Sequence, residues 1–225
     1  IIALCAKAHG DFGKTAAVCV WPRFVKTAKK ELAGTGVDVA TVVNFPHGGT
    51  DIEATVAETK GAIADGADEI DVVLPYKAFM AGDKETAAAL LKATREACKG
   101  KVMKVIIESG VLEHASLITE ASKLAIECGA DFVKTSTGKT PVSATLEAAN
   151  AMLEAIRDSG KPVGFKASGG VRTTEQAADY MALADKIMGA DWISKKTFRF
   201  GASGLRDNLL ASMGFGKGSA DSKGY

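Results

Sequence analysis

One phrase recurs along the chain, a glycine followed by a small apolar residue and an aspartate. It reads Gly36-Val37-Asp38, Gly66-Ala67-Asp68, Gly129-Ala130-Asp131 and Gly189-Ala190-Asp191. Each copy stands between a helical pattern and an apolar run, or a short run containing Trp and Ile. The intervals are 30, 63 and 60 residues, one unit and then two double units. That is the length of a βα repeat in which glycine ends the helix and the chain turns into the next strand. The strands missing from the double units fall at Val102-Met103-Lys104-Val105-Ile106-Ile107 and Val163-Gly164-Phe165-Lys166.

Strands are therefore expected at 16–20, 39–43, 69–73, 102–107, 132–134, 163–166 and 197–200. Amphipathic, Ala-rich helices are expected at 51–65, 84–99, 116–128, 145–158 and 174–188, with capping boxes at Thr50-x-x-Glu53 and Thr173-x-x-Gln176. Strict alternation of strand and helix points to a parallel sheet. A closed barrel is favoured over an open doubly wound sheet. No strand is followed by a GxGxxG loop, and polar residues gather at strand C-termini all along the chain. The expected fold is an α/β (βα)8 TIM barrel whose first strand would precede Ile1, since the sequence opens inside an apolar helical stretch rather than on Met. Residues 1–212 are expected to form one catalytic barrel domain and 213–225 a flexible tail.

At 225 residues and 47% hydrophobic content the chain can bury the core of such a domain. With 28 basic and 27 acidic side chains it has no general attraction for nucleic acid or a membrane surface, so any anion site must be local. Cys5, Cys19, Cys98 and Cys128 lack CxxC spacing, which suits reduced thiols in the cytoplasm. No apolar run approaches the ~20 residues of a transmembrane helix. His9, His47 and His114 have no metal-ligand spacing, and no metal is expected. Gly138-Lys139-Thr140 and Gly13-Lys14-Thr15 lack the upstream glycine of a P-loop, with Val133 and Ala8 in its place.

Lys134 and Lys166 end short apolar runs in consecutive βα units, so adjacent strands would bring them close. A lysine attacks a carbonyl only when unprotonated, and about 0.04% of an ordinary lysine is free at pH 7. A second ammonium nearby, with partial desolvation, is a recognised way to raise that fraction. One such lysine alone reads more simply as a side chain reaching to solvent from a strand end; the pair favours imine chemistry. Asp71, inside Glu69-Ile70-Asp71-Val72-Val73, needs a cationic or hydrogen-bonding partner, and serves either as a proton relay or in an ion pair with a barrel lysine. Period-2 alternation puts Glu69 and Asp71 on one face. Lys104 interrupts an apolar strand and could join that charge network. Glu108, just past the same strand, is a weaker candidate. Cys19 reads as a small strand residue rather than a nucleophile.

Three glycine-rich segments follow the last strands: Ser136-Thr137-Gly138-Lys139, Ser168-Gly169-Gly170-Val171-Arg172 and Gly201-Ala202-Ser203-Gly204. Backbone N–H groups, hydroxyls, Lys139 and Arg172 make them candidate phosphate loops.

With these residues in place, the sequence closely resembles the deoxyribose-phosphate aldolases, a class I aldolase family, over essentially its whole length. The resemblance is carried by Val39-Ala40-Thr41-Val42-Val43-Asn44-Phe45-Pro46-His47-Gly48, by Glu69-Ile70-Asp71-Val72-Val73-Leu74-Pro75-Tyr76, by Gly129 through Lys139 and by Gly164 through Arg172. It implies reversible cleavage of 2-deoxy-D-ribose 5-phosphate to acetaldehyde and D-glyceraldehyde 3-phosphate without a cofactor. Its partners would be sugar phosphates and aldehydes, and self-association as a homodimer is expected. Lys134 would form the imine, Lys166 would perturb its amine, and Asp71 would work through a water as acid and base. Gly138, Lys139, Gly169, Gly170, Arg172, Ser203 and Gly204 would surround the phosphate, and Tyr225 would assist proton transfer at the enamine carbon. The family often has two serines where this chain has Ser203-Gly204, leaving the Gly204 N–H as the second donor. An aldolase for a different sugar phosphate, or a barrel that binds one without turnover, are the alternatives.

Overall fold

The computed structural model describes residues 1–215. In chain order its elements are α1 (Ile2–Lys7), β1 (Ala17–Val20), α2 (Val25–Glu31), β2 (Asp38–Val43), α3 (Ile52–Ala64), β3 (Glu69–Val73), α4 (Tyr76–Met80), α5 (Lys84–Ala97) and β4 (Val102–Ile106). These are followed by α6 (Ser109–Leu112), α7 (Ala115–Glu127), β5 (Phe132–Lys134), α8 (Leu146–Ser159), β6 (Gly164–Ser168), α9 (Thr174–Met188), β7 (Phe198–Gly201) and α10 (Leu205–Ser212). The strands take the sheet order β1-β2-β3-β4-β5-β6-β7, and the pairs β1/β2, β2/β3, β5/β6 and β6/β7 are parallel. Strands that keep chain order, joined by helices, are the arrangement of a βα barrel; a doubly wound sheet reverses order partway. The fold is α/β and TIM-barrel-like, with seven strands among the described residues.

Two compact units make up the chain: Ile1–Val105 with Cys128–Ala130, and Ile106–Glu127 with the chain from Asp131 onward. In the first, β3 is buried along its whole length, as expected of a parallel strand covered on both faces. The recurring phrase ends α3 and α7 just before β3 and β5 as expected, and Gly189 caps α9. Gly36, however, stands beyond the end of α2, and β7 begins only at Phe198, past the fourth copy. The phrase's glycines all have positive φ, 72° at Gly36, 105° at Gly66, 87° at Gly129 and 96° at Gly189, a conformation that side-chain-bearing residues avoid. Asp68 of the second copy then accepts the Val39 N–H at 3.0 Å and holds Lys29 at 2.7 Å, tying the entry of β3 to β2 and α2.

In the second unit one face of the sheet turns toward the helices. Phe165 and Phe198 are register partners with ring centroids 5.6 Å apart, Phe198 meets Phe200 at 5.0 Å, and Phe200 meets Tyr180 of α9 at 6.3 Å. The residues between them, Lys166 and Arg199, therefore project to the other face.

Two expectations about local structure change. Helix α3 is capped by Asp51, whose carboxylate accepts the Ala54 N–H at 2.9 Å, and not by a box at Thr50. The helix begins one residue later than that box needs, and aspartate is as good a cap as threonine. The Thr173–Gln176 box on α9 forms as expected. Strand β6 also runs past Lys166 to Ser168, because Ala167 and Ser168 pair with Phe200 and Gly201 of β7.

Candidate active site

Lys134 is the last residue of β5, and Lys166 is its register partner on the adjacent parallel strand β6. Partners in a parallel ladder project to the same face, so both amines rise from one side of the sheet. Both residues are buried, with 5% and 7% of their surface exposed. These figures exclude lysines that simply reach out to solvent from a strand end.

The strand ends are joined just beyond the lysines. Thr135 N–H donates to the Lys166 carbonyl at 3.1 Å. The Thr135 hydroxyl donates to the Ser168 carbonyl and accepts the Ser168 N–H. It ties β5 to the two residues by which β6 runs past Lys166, a stretch that pairs with Phe200 and Gly201 of β7. Gly201, at the end of β7, completes the wall: a Cβ there would lie 2.6 Å from Ser168 Oγ and 3.1 Å from Lys166 Cε. The Lys166 side chain thus runs across a position that only glycine leaves open. On the same face the absent side chain of Gly164 makes room for the Phe132 ring, over which the Arg199 guanidinium sits at 4.8 Å while donating to the Lys195 carbonyl at 2.8 Å. Arg199 and Thr135 were not legible as site residues, and Gly201 was legible only as the start of a candidate phosphate loop, not as the glycine beside Lys166. Arg199 left a trace, a charge alternating with Phe198 and Phe200.

The phosphate-loop candidates fall after these strands. Gly138, Gly169 and Gly170 have φ of 76°, 76° and 84°, and the Gly169 N–H donates to the Gly201 carbonyl at 3.3 Å. A Cβ on Gly169 would stand 2.6 Å from Ser143 Oγ and 3.5 Å from the Gly138 Cα, so the loops after β5 and β6 touch. Lys139 and Arg172 are exposed. The Arg172 N–H donates to Gln176 Oε1 at 2.8 Å, and its carbonyl accepts from Asn208 Nδ2 of α10 at 2.7 Å. Gly204 is the N-cap of α10, with Ser203 immediately before it. Tyr225 lies outside the described residues.

The first unit holds the other charged group. Lys104 Nζ is 2.7 Å from Asp71 Oδ1 and 2.5 Å from Glu69 Oε2, with all three residues fully buried. The lysine bridges two carboxylates two residues apart on one strand, the face that alternation predicted for them. Asp71 is thus an ion-pair partner of a barrel lysine, which satisfies the cost of burying it.

Glu108 contributes more than its weak sequence signal suggested. It is fully buried with φ 54°, and it accepts the Thr137 N–H at 3.2 Å and the Thr137 hydroxyl at 2.5 Å. Its trace in the sequence was a carboxylate placed directly after an apolar strand. Among the described residues no group of three or more His, Cys, Asp or Glu side chains is placed to hold a metal ion. His9, His47 and His114 are exposed and lie between elements, and Cys19 is half-buried in β1.

A buried lysine pair facing one way from adjacent strands, with glycine loops directly after both, suits carbonyl chemistry on a phosphorylated substrate. The model of the DeoC/LacD family aldolases matches residues 1–211. The chain belongs to that family. It is an aldolase by family. A crystal structure from Coccidioides immitis, described as a "putative deoxyribose-phosphate aldolase", is 35% identical, with a TM-score of 0.78 over 90% of this chain and 74% of that one. A structure with the same description from Toxoplasma gondii ME49 is 26% identical, with a TM-score of 0.84 over 93% of this aldolase and 86% of that chain. A protein described as "QR15, an Aldolase" is 29% identical, with a TM-score of 0.79 over 94% and 88% of the two chains. No helix of the described residues is long and apolar enough to cross a membrane.

Proposed function

We propose that this aldolase cleaves 2-deoxy-D-ribose 5-phosphate reversibly to acetaldehyde and D-glyceraldehyde 3-phosphate, through a Schiff base on Lys134. The observation that carries the proposal is the register pairing of Lys134 with Lys166 as two buried amines on one face. The Lys134 amine adds to the C1 aldehyde of the open-chain sugar, and loss of water leaves the imine. The C3 hydroxyl gives up its proton, the C2–C3 bond breaks, and its electron pair enters the enamine while glyceraldehyde 3-phosphate leaves. Protonation at C2 and hydrolysis of the imine release acetaldehyde and restore the amine.

Lys166 supplies the second positive charge beside the nucleophile. Asp71 is the acid–base group that the family resemblance implies, and proton delivery at C2 by Tyr225 belongs to the same proposal. Gly138, Lys139, Gly169, Gly170, Arg172, Ser203 and Gly204 hold the 5-phosphate through N–H groups and two cations. The turn at Gly169, too tight for a side chain, supports this reading. Four unbridged cysteines suit a reducing cytoplasm.

Acetaldehyde followed by borohydride should leave one reduced two-carbon adduct, on Lys134. Lys134→Ala should abolish both the adduct and turnover while retaining the melting temperature. An adduct on another lysine would refute the imine assignment. An adduct without cleavage of deoxyribose 5-phosphate would favour an aldolase for a different sugar phosphate, and phosphate binding with no adduct would favour a non-catalytic barrel.

A further inference from the structure

We infer that Glu108 is a positioning residue that sets the loop after β5 for the phosphate of the substrate; the substrate's identity rests on the function proposed above. Three observations converge on it.

The first is the choice of group. A carboxylate is an acceptor only, and Glu108 faces donors: the Thr137 N–H, the Thr137 hydroxyl, and the Thr140 hydroxyl at 3.3 Å, which also has the Val142 carbonyl at 2.9 Å. The Thr137 oxygen in turn accepts the Lys139 N–H at 3.1 Å. Glu108 is therefore linked through one hydroxyl to the backbone that flanks Gly138.

The second is the backbone. Glu108 stands at φ 54°, ψ 56° as the N-cap of α6, a left-handed conformation that a large side chain adopts only when its surroundings demand it. Two residues on, a Cβ at Gly110 would lie 2.1 Å from the Val142 carbonyl oxygen. The turn carrying Glu108 thus presses directly on the same loop that its carboxylate holds.

The third is the destination. The held segment ends against the next phosphate loop, with the Ala144 N–H donating to the Gly169 carbonyl at 3.4 Å and Ser143 filling the space beside Gly169. Releasing residues 137–144 from Glu108 would shift Gly138 against Gly169 while leaving the Thr135–Ser168 exchange at the lysines intact.

The test compares Glu108→Gln and Thr137→Val with the unaltered chain, using inorganic phosphate binding, KM for deoxyribose 5-phosphate and for unphosphorylated 2-deoxyribose, and acetaldehyde–borohydride labelling of Lys134. Glu108→Gln keeps the shape but turns an acceptor into a donor, and Thr137→Val cuts the link to Lys139 without removing the carboxylate. Both should weaken phosphate binding and raise the phosphorylated substrate's KM by about tenfold or more. Labelling and the KM for 2-deoxyribose should hold. Unchanged phosphate affinity in both variants overturns the inference, as does no phosphate binding by the unaltered chain or a parallel loss of labelling and phosphate affinity. An unaltered chain that binds phosphate but is not labelled at Lys134 refutes the proposed function instead, and the variants' loss of phosphate affinity would still support the role of Glu108.

Discussion

The Thr135 hydroxyl donates to the Ser168 carbonyl at 3.1 Å and accepts the Ser168 N–H at 3.0 Å. This reciprocal pair spans 33 residues of sequence and fixes the ends of β5 and β6 one step beyond Lys134 and two beyond Lys166. Replacing Thr135 with valine keeps the volume but strands a buried N–H, at a cost of about 1–3 kcal/mol. Thr135→Val should lower the denaturant midpoint and slow borohydride labelling of Lys134, and Thr135→Ser should restore both. Labelling at the original rate in a destabilised valine variant would show that the exchange serves stability alone.

Gly201→Ala places a methyl group against Ser168 Oγ and Lys166 Cε. Overpacking of this kind costs about 1–3 kcal/mol, and misplacing one member of the lysine pair by about 1 Å costs roughly 100-fold in rate. The expected outcome is a fall in kcat for cleavage much larger than the fall in melting temperature would suggest. A normal kcat would mean that the Lys166 side chain moves aside without consequence.

Lys104→Met leaves Glu69 and Asp71 buried on one face without the cation that bridges them. Removing one partner of a buried pair costs about 3–5 kcal/mol, so urea unfolding should register a loss in that range. Adding Glu69→Gln and Asp71→Asn to the same chain should recover part of it, because the uncompensated charge is then gone. A lone Lys104→Met variant as stable as the original would contradict the ion-pair geometry.

The Tyr180 phenol is pushed up to about 12, first by burial and then by the nearby Glu147 carboxylate. An unfolded tyrosine titrates near 10. The folded state therefore keeps its proton where the unfolded chain loses it, and Tyr180 contributes stability in full below pH 10. That contribution is lost as pH rises from about 10 to 12. Tyr180→Phe should flatten this alkaline loss in thermal melts between pH 9 and 12; an identical slope would assign the loss to other groups.

What the sequence determined by itself is local in origin. The glycine–aspartate phrase, the apolar periods and the Thr173 cap are set by conformational preference and by spacing along the chain, so they yielded seven strands and the βα order. The two lysines were legible because each ends an apolar run, and the long motifs carried the family. The geometry of distant contacts was not legible. Lys104 was legible as a member of the Asp71 charge network, but not the geometry in which its one amine bridges Glu69 and Asp71. Nothing before Thr135 says that its hydroxyl pairs with the Ser168 backbone. Glu108 lies 29 residues from the Thr137 it holds. Such bonds form only when strands far apart in sequence lie side by side, so their geometry belongs to the tertiary structure, which turned two strand-end lysines into one buried, same-facing pair.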